Sequence, residues 1–221
     1  MASLVGQERI AAHLQAFAAN PFSTAFLFEG ETGTGKTSAA LALAQSLGCD
    51  MNQKPPEFGG VHVIASGEQS ADAVREIARQ MWNSPFAGSG WKVIIVNECD
   101  RMALPAETVW LDRLESLPAK TVVVFTTNYA GKLSQRFLDR CTRLEFDADA
   151  QHQAAALRTM LTAIWKAECG KAADPKMIDQ VVQASVVNGK VSFRRAVQDL
   201  TVVLLSPCSI PIFASRMRLF V

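Results

Sequence analysis

The chain has 221 residues, of which 49% are apolar and 19% charged, and its formal net charge is +1. This length allows one medium domain and one small one, and the near-zero charge excludes attraction of a polyanion by overall charge alone. No apolar run is long enough to span a membrane, and the first residues lack a cleavage-site pattern, so we expect a cytoplasmic protein without a membrane partner.

The first elements are arranged around a glycine-rich segment. Residues 4–19 have apolar residues at near-helical spacing, and Asn20-Pro21 ends that pattern. An apolar run, Thr24 to Phe28, then precedes the sequence GETGTGKT at Gly30 to Thr37, and residues 38–47 are rich in alanine and leucine. This order predicts a strand, a glycine loop and a helix.

The residue types of this loop suit the binding of phosphate groups. Its glycines permit backbone dihedrals that let successive N–H groups point at phosphate oxygens, and the following helix start adds partial positive charge. Lys36 is expected to reach the outer phosphates, and the Thr37 hydroxyl is expected to ligate Mg²⁺. The predicted nucleotide-binding residues of the loop are Gly30, Glu31, Thr32, Gly33, Thr34, Gly35, Lys36, Thr37 and Ser38.

Two other interpretations of the loop are less consistent with its sequence. A flexible glycine turn that binds nothing does not explain why a lysine and a threonine follow the last glycine. A dinucleotide-binding fingerprint would require a glycine where Ser38 stands, so we reject it.

Polar residues follow two further strands that the sequence predicts to be buried. The run Trp91 to Val96 leads into Asn97-Glu98, and the run Thr121 to Thr126 leads into Thr127-Asn128. Ligands of parallel sheets bind beyond the carboxyl ends of the strands, so these residues are expected near the phosphate loop. Glu98 is the candidate base for an attacking water, and the alternative is a solvated pair in a loop.

The remaining patterns complete a doubly wound α/β core and a helical region. Strands are predicted at 61–65 and 142–146, and helices at 71–82, 104–117 and 133–138. After Asp147 the patterns at 150–166, 175–184 and 193–205 are helical with no strand between them. The predicted domains are a core at 1–148, a helical domain at 149–205 and a tail at 206–221.

Seven segments together resemble AAA+ ATPases of the clamp-loader branch. They are, in chain order, VGQERIAAHL, GETGTGKT, VIIVNECDRM, LDRLESLP, VVVFTTN, LDRC and SFRRAVQDL, and they cover roughly residues 4–205. The loop is generic, but the order and spacing of the other segments are specific. The resemblance implies a P-loop AAA+ core with a parallel five-stranded sheet, a small all-helical lid domain, and ATP with Mg²⁺ as cofactors.

The resemblance also implies roles for residues outside the loop. Val5, Gly6 and Gln7 match the segment that lies against adenine, and Asn128 matches the sensor that positions the attacking water. Arg140, in Asp139-Arg140-Cys141, matches the arginine that reaches the nucleotide of a neighbouring subunit. Arg194 matches the lid arginine that contacts the γ-phosphate.

From the residues alone, three of these roles have plainer alternatives. Asn128 also suits a cap of the loop that follows its strand, and Arg140 suits a solvated charge. Arg194 and Arg195 are adjacent on one predicted helix, so only one of them can face the nucleotide, and we favour Arg194.

Two departures from the family pattern bear on activity and assembly. Asn97 replaces the usual aspartate, which removes a negative charge from the expected Mg²⁺ shell and predicts weaker metal binding or slower turnover. The sequence stops soon after the third lid helix, so the collar that joins clamp-loader subunits is expected to be missing.

We therefore predict an ATPase that loads a sliding clamp onto primer-template DNA together with other AAA+ subunits. The alternatives are a catalytically silent nucleotide-binding subunit of such a complex, and another AAA+ DNA motor such as a branch-migration or helicase-loading ATPase. The end of the chain, Met217 to Phe220, faintly resembles peptides that dock on clamps, although packing on its own domain is the favoured interpretation.

Overall fold

The computed structural model of the chain describes residues 4–205, so the clamp-docking hypothesis for Met217 to Phe220 lies outside the described residues. The chain divides into two compact units. The first contains the chain up to Gly30 and Gly35–Phe146, and the second contains Glu31–Thr34 and the chain from Asp147 onward.

The first unit is built on one sheet. Its strands are β1 (Thr24–Gly30), β2 (Val61–Ile64), β3 (Lys92–Val96), β4 (Thr121–Thr127) and β5 (Thr142–Phe146). They form a five-stranded sheet in the order β2-β3-β4-β1-β5, and every neighbouring pair is parallel. This confirms the predicted parallel five-stranded sheet.

A helix precedes the first strand, and further helices connect the strands. The preceding helix is α1 (Glu8–Ala19), and the connecting helices are α2 (Lys36–Ser46), α3 (Ala71–Gln80), α4 (Leu104–Leu114) and α5 (Gln135–Leu138). Each corresponds to a helix predicted from the sequence, with ends that differ by a few residues. Among residues 4–205, no helix combines the length and apolar character that crossing a bilayer requires.

Alternating side chains of the strands enter two apolar cores, one on each face of the sheet. Phe26 and Phe28 lie in one core, which also contains buried side chains of α1 and α2. Ala25 and Leu27 lie in the other core with Trp110 of α4. Every residue of β3 and of β4 is buried, as expected for central strands covered by helices on both faces. The polar residues after these strands are therefore held by a rigid scaffold.

The end of β1 can only be glycine. Gly30 has φ +144°, and a Cβ atom added there would lie 2.6 Å from the carbonyl oxygen of Phe146 in β5. A side chain at this position would thus force β1 and β5 apart. The glycine allows the chain to leave the sheet closely beside its neighbour and to enter the loop that precedes α2.

Within residues 147–205, the second unit contains three helices and a small hairpin. The helices are α6 (Ala150–Cys169), α7 (Pro175–Ala184) and α8 (Phe193–Leu205), and the strands are β6 (Val186–Val187) and β7 (Lys190–Val191). The two strands are antiparallel, and the turn residues Asn188 and Gly189 have φ values of 51° and 76°. An Asn-Gly pair with two positive φ angles favours a tight hairpin. The sequence prediction of helices with no strand between them missed this hairpin.

Four loop residues, Glu31–Thr34, belong to the second unit. The backbone N–H of Phe193, at the start of α8, donates to the carbonyl of Gly33 at 3.1 Å. A Cβ atom on Gly33, whose φ is +83°, would lie 2.3 Å from Ser192 Oγ. Lys190 also forms an ion pair with Glu31. The assignment of residues 149–205 as a lid domain stays a prediction.

Candidate nucleotide-binding and catalytic site

Lys36 is the first residue of α2 and joins the loop to the end of β4. Its side chain is largely buried, and Nζ donates hydrogen bonds to the carbonyl of Gly30 at 2.8 Å and to Asn128 Oδ1 at 2.9 Å. Gly30 ends β1 and Asn128 follows β4 directly. The structure thus brings the loop lysine and the predicted sensor asparagine into contact, around an ammonium group that anionic oxygens could also approach.

Thr37 makes the corresponding connection to the end of β3. Its hydroxyl donates to Asn97 Oδ1 at 2.9 Å, and the Thr126 hydroxyl donates to the same oxygen at 3.3 Å. The two predicted metal ligands, Thr37 and Asn97, therefore lie in direct contact. Lys36 and Thr37 are adjacent, so the ends of β3 and β4 converge on the start of α2.

The chemistry of these donors fits Mg²⁺ that is held mostly by a nucleotide. Magnesium prefers oxygen ligands and commonly keeps waters while using only one or two protein groups beside substrate phosphates. Thr37 Oγ1 and Asn97 Oδ1 offer two such oxygens without a net charge. Within residues 4–205, no group of three or more His, Cys, Asp or Glu side chains could hold a metal by itself. Two neutral oxygens bind Mg²⁺ weakly by themselves, so binding by Thr37 and Asn97 would also need phosphate oxygens.

Glu98 follows Asn97 in a constrained backbone conformation. Its φ and ψ are both 52°, in the left-handed region that non-glycine residues rarely adopt. Its N–H donates to Thr126 Oγ1 at 3.2 Å. The carboxylate accepts from Ser66 Oγ at 2.7 Å and pairs with Arg101 Nε at 3.1 Å. Such strain is typical of functional positions, and here the candidate base is held by a hydroxyl and a guanidinium.

The peptide between Asn97 and Glu98 has a further partner. Gln69 is 5% exposed, and its side-chain amide donates to the carbonyl of Asn97. Backbone groups on both sides of this peptide are thus bonded to side chains of neighbouring segments, since Thr126 accepts from the Glu98 N–H. These contacts fix the direction in which the two side chains leave the strand.

The segment Val5, Gly6 and Gln7 lies immediately before α1. The N–H of Gly6 donates to the Glu8 carboxylate at 3.2 Å, and the Gln7 side chain is buried. The preceding Leu4 packs against the core that contains α1 and α2. This segment is therefore anchored on the same face of the sheet as α2, and its contact with adenine stays a prediction.

Arg140 lies just after α5 and contacts the end of α4. Its Nη1 donates to the carbonyl of Arg136 at 2.9 Å, and its Nη2 pairs with the carboxylate of Glu115. Glu115 directly follows the last residue of α4. In the first unit, Arg140 is thus held by neighbouring elements and does not share the hydrogen bonds that join Lys36 and Thr37 to the strands.

Arg194 belongs to the second unit, in the first turn of α8, and its side chain is exposed. Within that unit its Cβ lies 3.4 Å from the position that a Cβ on Gly33 would occupy. The adjacent Arg195 pairs with Asp199 at 3.8 Å, one turn along the same helix. Arg194 thus lies beside the loop residue Gly33, whereas Arg195 is engaged by an acid of its own helix. This arrangement favours Arg194 over Arg195 for a ligand that lies against the loop.

Several residues that contact the candidate base Glu98 could not be identified from the sequence. Ser66 lies in the loop after β2, and nothing in its local sequence connects it to Glu98, which is 32 positions away. Thr126 carried a weak signal, because it is a hydroxyl residue near the end of a buried strand. Arg101 stands three positions after Glu98, a spacing that allows an ion pair.

Comparison with protein families gives a match over most of the first unit. The model of a family described as DNA polymerase III, delta subunit, matches residues 6–150. The chain is 29% identical over 159 residues to DNA polymerase III subunit tau of Bacillus subtilis. This alignment covers 65% of this chain and 28% of the relative. The chain is 30% identical over 144 residues to the replication factor C small subunit of Thermofilum pendens, covering 65% of this chain and 43% of the relative.

Solved structures show the same architecture. A DNA polymerase III gamma subunit-related protein of Thermotoga maritima matches with a TM-score of 0.62 and 18% identity over 86% of this chain and 57% of the other. A variant of RuvB from the same organism matches with a TM-score of 0.66 and 18% identity over 90% of this chain and 64% of the other. These likenesses confirm the predicted fold. The chain spans less than two thirds of the length of each of these four proteins.

Proposed function

The chain belongs to the DNA polymerase III delta-subunit family and is a clamp-loader-type subunit with the P-loop AAA+ fold, and we propose that it binds and hydrolyses ATP to load a sliding clamp on primer-template DNA. The observation that carries this proposal is the convergence of two strand ends on the phosphate loop. Lys36 contacts Asn128 at 2.9 Å, and Thr37 contacts Asn97 at 2.9 Å.

Binding of ATP would draw on these groups in a simple way. The buried ammonium of Lys36 would exchange its carbonyl and amide partners for phosphate oxygens, which are stronger acceptors because they are charged. Thr37 and Asn97 would hold Mg²⁺, which neutralises phosphate charge when bound. Val5, Gly6 and Gln7 would contact the adenine, and Arg194 would contact the γ-phosphate.

Hydrolysis requires a base for water and a group that orients it. We assign the first role to Glu98 and the second to Asn128. In the structure the Glu98 carboxylate is paired with Arg101 at 3.1 Å and with Ser66 at 2.7 Å. Both contacts are made to Oε2 of the carboxylate, so we assign the contact with the attacking water to the other oxygen, Oε1.

The sliding clamp, primer-template DNA and other AAA+ subunits are the proposed partners. The names of two relatives, a DNA polymerase III subunit and a replication factor C subunit, support this proposal. ATP turnover of the chain in its natural complex tests it, measured with and without primed DNA and clamp. Stimulation of turnover by DNA and clamp together is the expected result, and equal turnover under all conditions would contradict the loading function.

Replacement of Asn97 by aspartate is predicted to tighten Mg²⁺ binding. A carboxylate at this position adds a negative charge where Thr37 and Thr126 now donate to a neutral amide oxygen. We expect the Mg²⁺ concentration for half-maximal ATP turnover to fall by about tenfold in Asn97→Asp. The exposed Asn83→Asp adds the same charge elsewhere and serves as the control. An unchanged Mg²⁺ requirement in Asn97→Asp would remove residue 97 from the metal shell.

A catalytically silent assembly subunit is the second candidate, and two observations favour it. Asn97 supplies no charge to the metal site, and Glu98 is paired with Arg101. A silent subunit would bind ATP tightly but show no turnover in the presence of DNA and clamp. The branch-migration and helicase-loading alternatives stay predictions, since the likeness to RuvB is at 18% identity and concerns the fold alone.

A further inference from the structure

Arg140 has a specific intramolecular partner that the sequence did not reveal. Its Nη2 pairs with the Glu115 carboxylate, and its Nη1 donates to the carbonyl of Arg136 at 2.9 Å. The Nε atom is buried and has no hydrogen-bond partner among residues 4–205. The guanidinium is thus fixed by one carboxylate, from the residue directly after α4, and one carbonyl, from α5.

These contacts leave some N–H groups of the guanidinium available to bind an anion. Each terminal nitrogen of an arginine carries two N–H groups, and the planar fork matches the geometry of phosphate oxygens. The side chain of Arg140 is 30% exposed, so it can be approached from solvent. A guanidinium held through one N–H on each terminal nitrogen can present the others to an anion without breaking its internal contacts.

The solvent exposure of the Arg140–Glu115 pair indicates whether the pair contributes to folding stability or to side-chain orientation. The Glu115 side chain is 62% exposed, and ion pairs at such surfaces add little to folding stability because solvent screens them. The ion pair can still restrict the orientation of Arg140, because a long arginine side chain without a partner samples many rotamers. A carboxylate at the C-terminus of α4 restricts Arg140 to a narrow set of directions.

We propose that Glu115 is a positioning residue, which orients Arg140 for contact with the nucleotide of a neighbouring subunit. The inference rests on the proposed function, because a contact of Arg140 with a neighbour's nucleotide, which the resemblance to clamp-loader ATPases implies, requires the proposed assembly with other AAA+ subunits. Glu115 does not contact that nucleotide in this proposal and acts only through Arg140. Loss of Glu115 should therefore change the rate of turnover at the neighbour's site more than the affinity for ATP.

The test uses the natural complex, purified through a tag on this chain, with kcat and KM for ATP measured for each variant. We expect Arg140→Ala to lower kcat by about a thousandfold. Glu115→Ala should lower kcat by roughly ten- to a hundredfold with KM nearly unchanged, since misorientation alone has effects of that size. Glu115→Gln keeps an oxygen acceptor and should recover part of the loss. The thermal unfolding midpoint should hardly move in any of these variants.

A double variant and a matched control make the test decisive. Arg140→Ala with Glu115→Ala should turn over ATP at the rate of Arg140→Ala alone, because Glu115 has no other route to the reaction. Asp112→Ala removes an exposed acid of the same helix and should leave turnover unchanged. If Arg140→Ala lowers turnover and Glu115→Ala does not, the inference is wrong and the proposed function stands. If Arg140→Ala has no effect, or the chain purifies without a nucleotide-binding neighbour, the role of Arg140 across an interface is wrong as well.

Discussion

Glu98→Gln is expected to bind ATP with unchanged affinity and to hydrolyse it at about a hundredth to a ten-thousandth of the wild-type rate. The amide retains the shape and hydrogen-bonding capacity of the carboxylate but cannot accept a proton from water. The backbone at position 98 should stay in place, because Gln69 binds the carbonyl of the preceding Asn97. Binding is measured by titration with a fluorescent ATP analogue, and turnover by release of phosphate.

Glu145→Gln provides the control for this change. Glu145 is an exposed residue of the edge strand β5, so the same loss of charge occurs outside the proposed site. Its turnover should equal that of the wild type. Wild-type turnover by Glu98→Gln would contradict the assignment of Glu98 as the base, whereas loss of binding would indicate that the carboxylate is needed for the structure of the site.

Lys36→Ala is expected to weaken ATP binding by two to four orders of magnitude. The lysine would make at least two charge-assisted hydrogen bonds to phosphate oxygens, each contributing about 1.5–3 kcal/mol. Its removal also leaves the Gly30 carbonyl and the Asn128 amide oxygen without this donor. Equilibrium titration with the labelled nucleotide measures the loss.

Two comparisons separate a binding defect from a folding defect in Lys36→Ala. Lys171→Ala removes the same charge from an exposed position of the second unit and should bind ATP like the wild type. Thermal unfolding without nucleotide should show Lys36→Ala folded at the assay temperature. ATP should raise the unfolding midpoint of the wild type and of Lys171→Ala but not that of Lys36→Ala, because only binding to the folded state stabilises it. Equal affinity in all three proteins would show that Lys36 does not hold phosphate.

Much of the fold could be predicted because the signals are local. The buried runs of β3 and β4 are continuous and apolar, and the glycine loop separates a strand from a helix by composition alone. The hairpin β6–β7 was missed although Asn188-Gly189 is a strong hairpin signal. Its strands have two residues each, so no alternation of apolar and polar residues exists to indicate them.

The candidate site was predictable only in part, for the same reason. Lys36, Thr37, Asn97 and Asn128 follow from spacing, because parallel strands end at one edge of the sheet and the loop lies there. The side chains that contact Glu98 and Arg140 cannot be predicted from spacing in this way. Ser66 reaches Glu98, and Glu115 reaches Arg140, through tertiary packing that brings distant segments together. The left-handed backbone at Glu98 likewise has no local sequence signal.

Nucleotide binding at the phosphate loop can be tested by calorimetric titration of the wild-type chain with ATP in the presence of Mg²⁺. The proposed function requires that a triphosphate binds where Lys36 and Thr37 meet the ends of two buried strands. We expect saturable heat from the wild type that disappears in Lys36→Ala. Absence of heat from folded wild-type protein, or the same heat from both proteins, would contradict it.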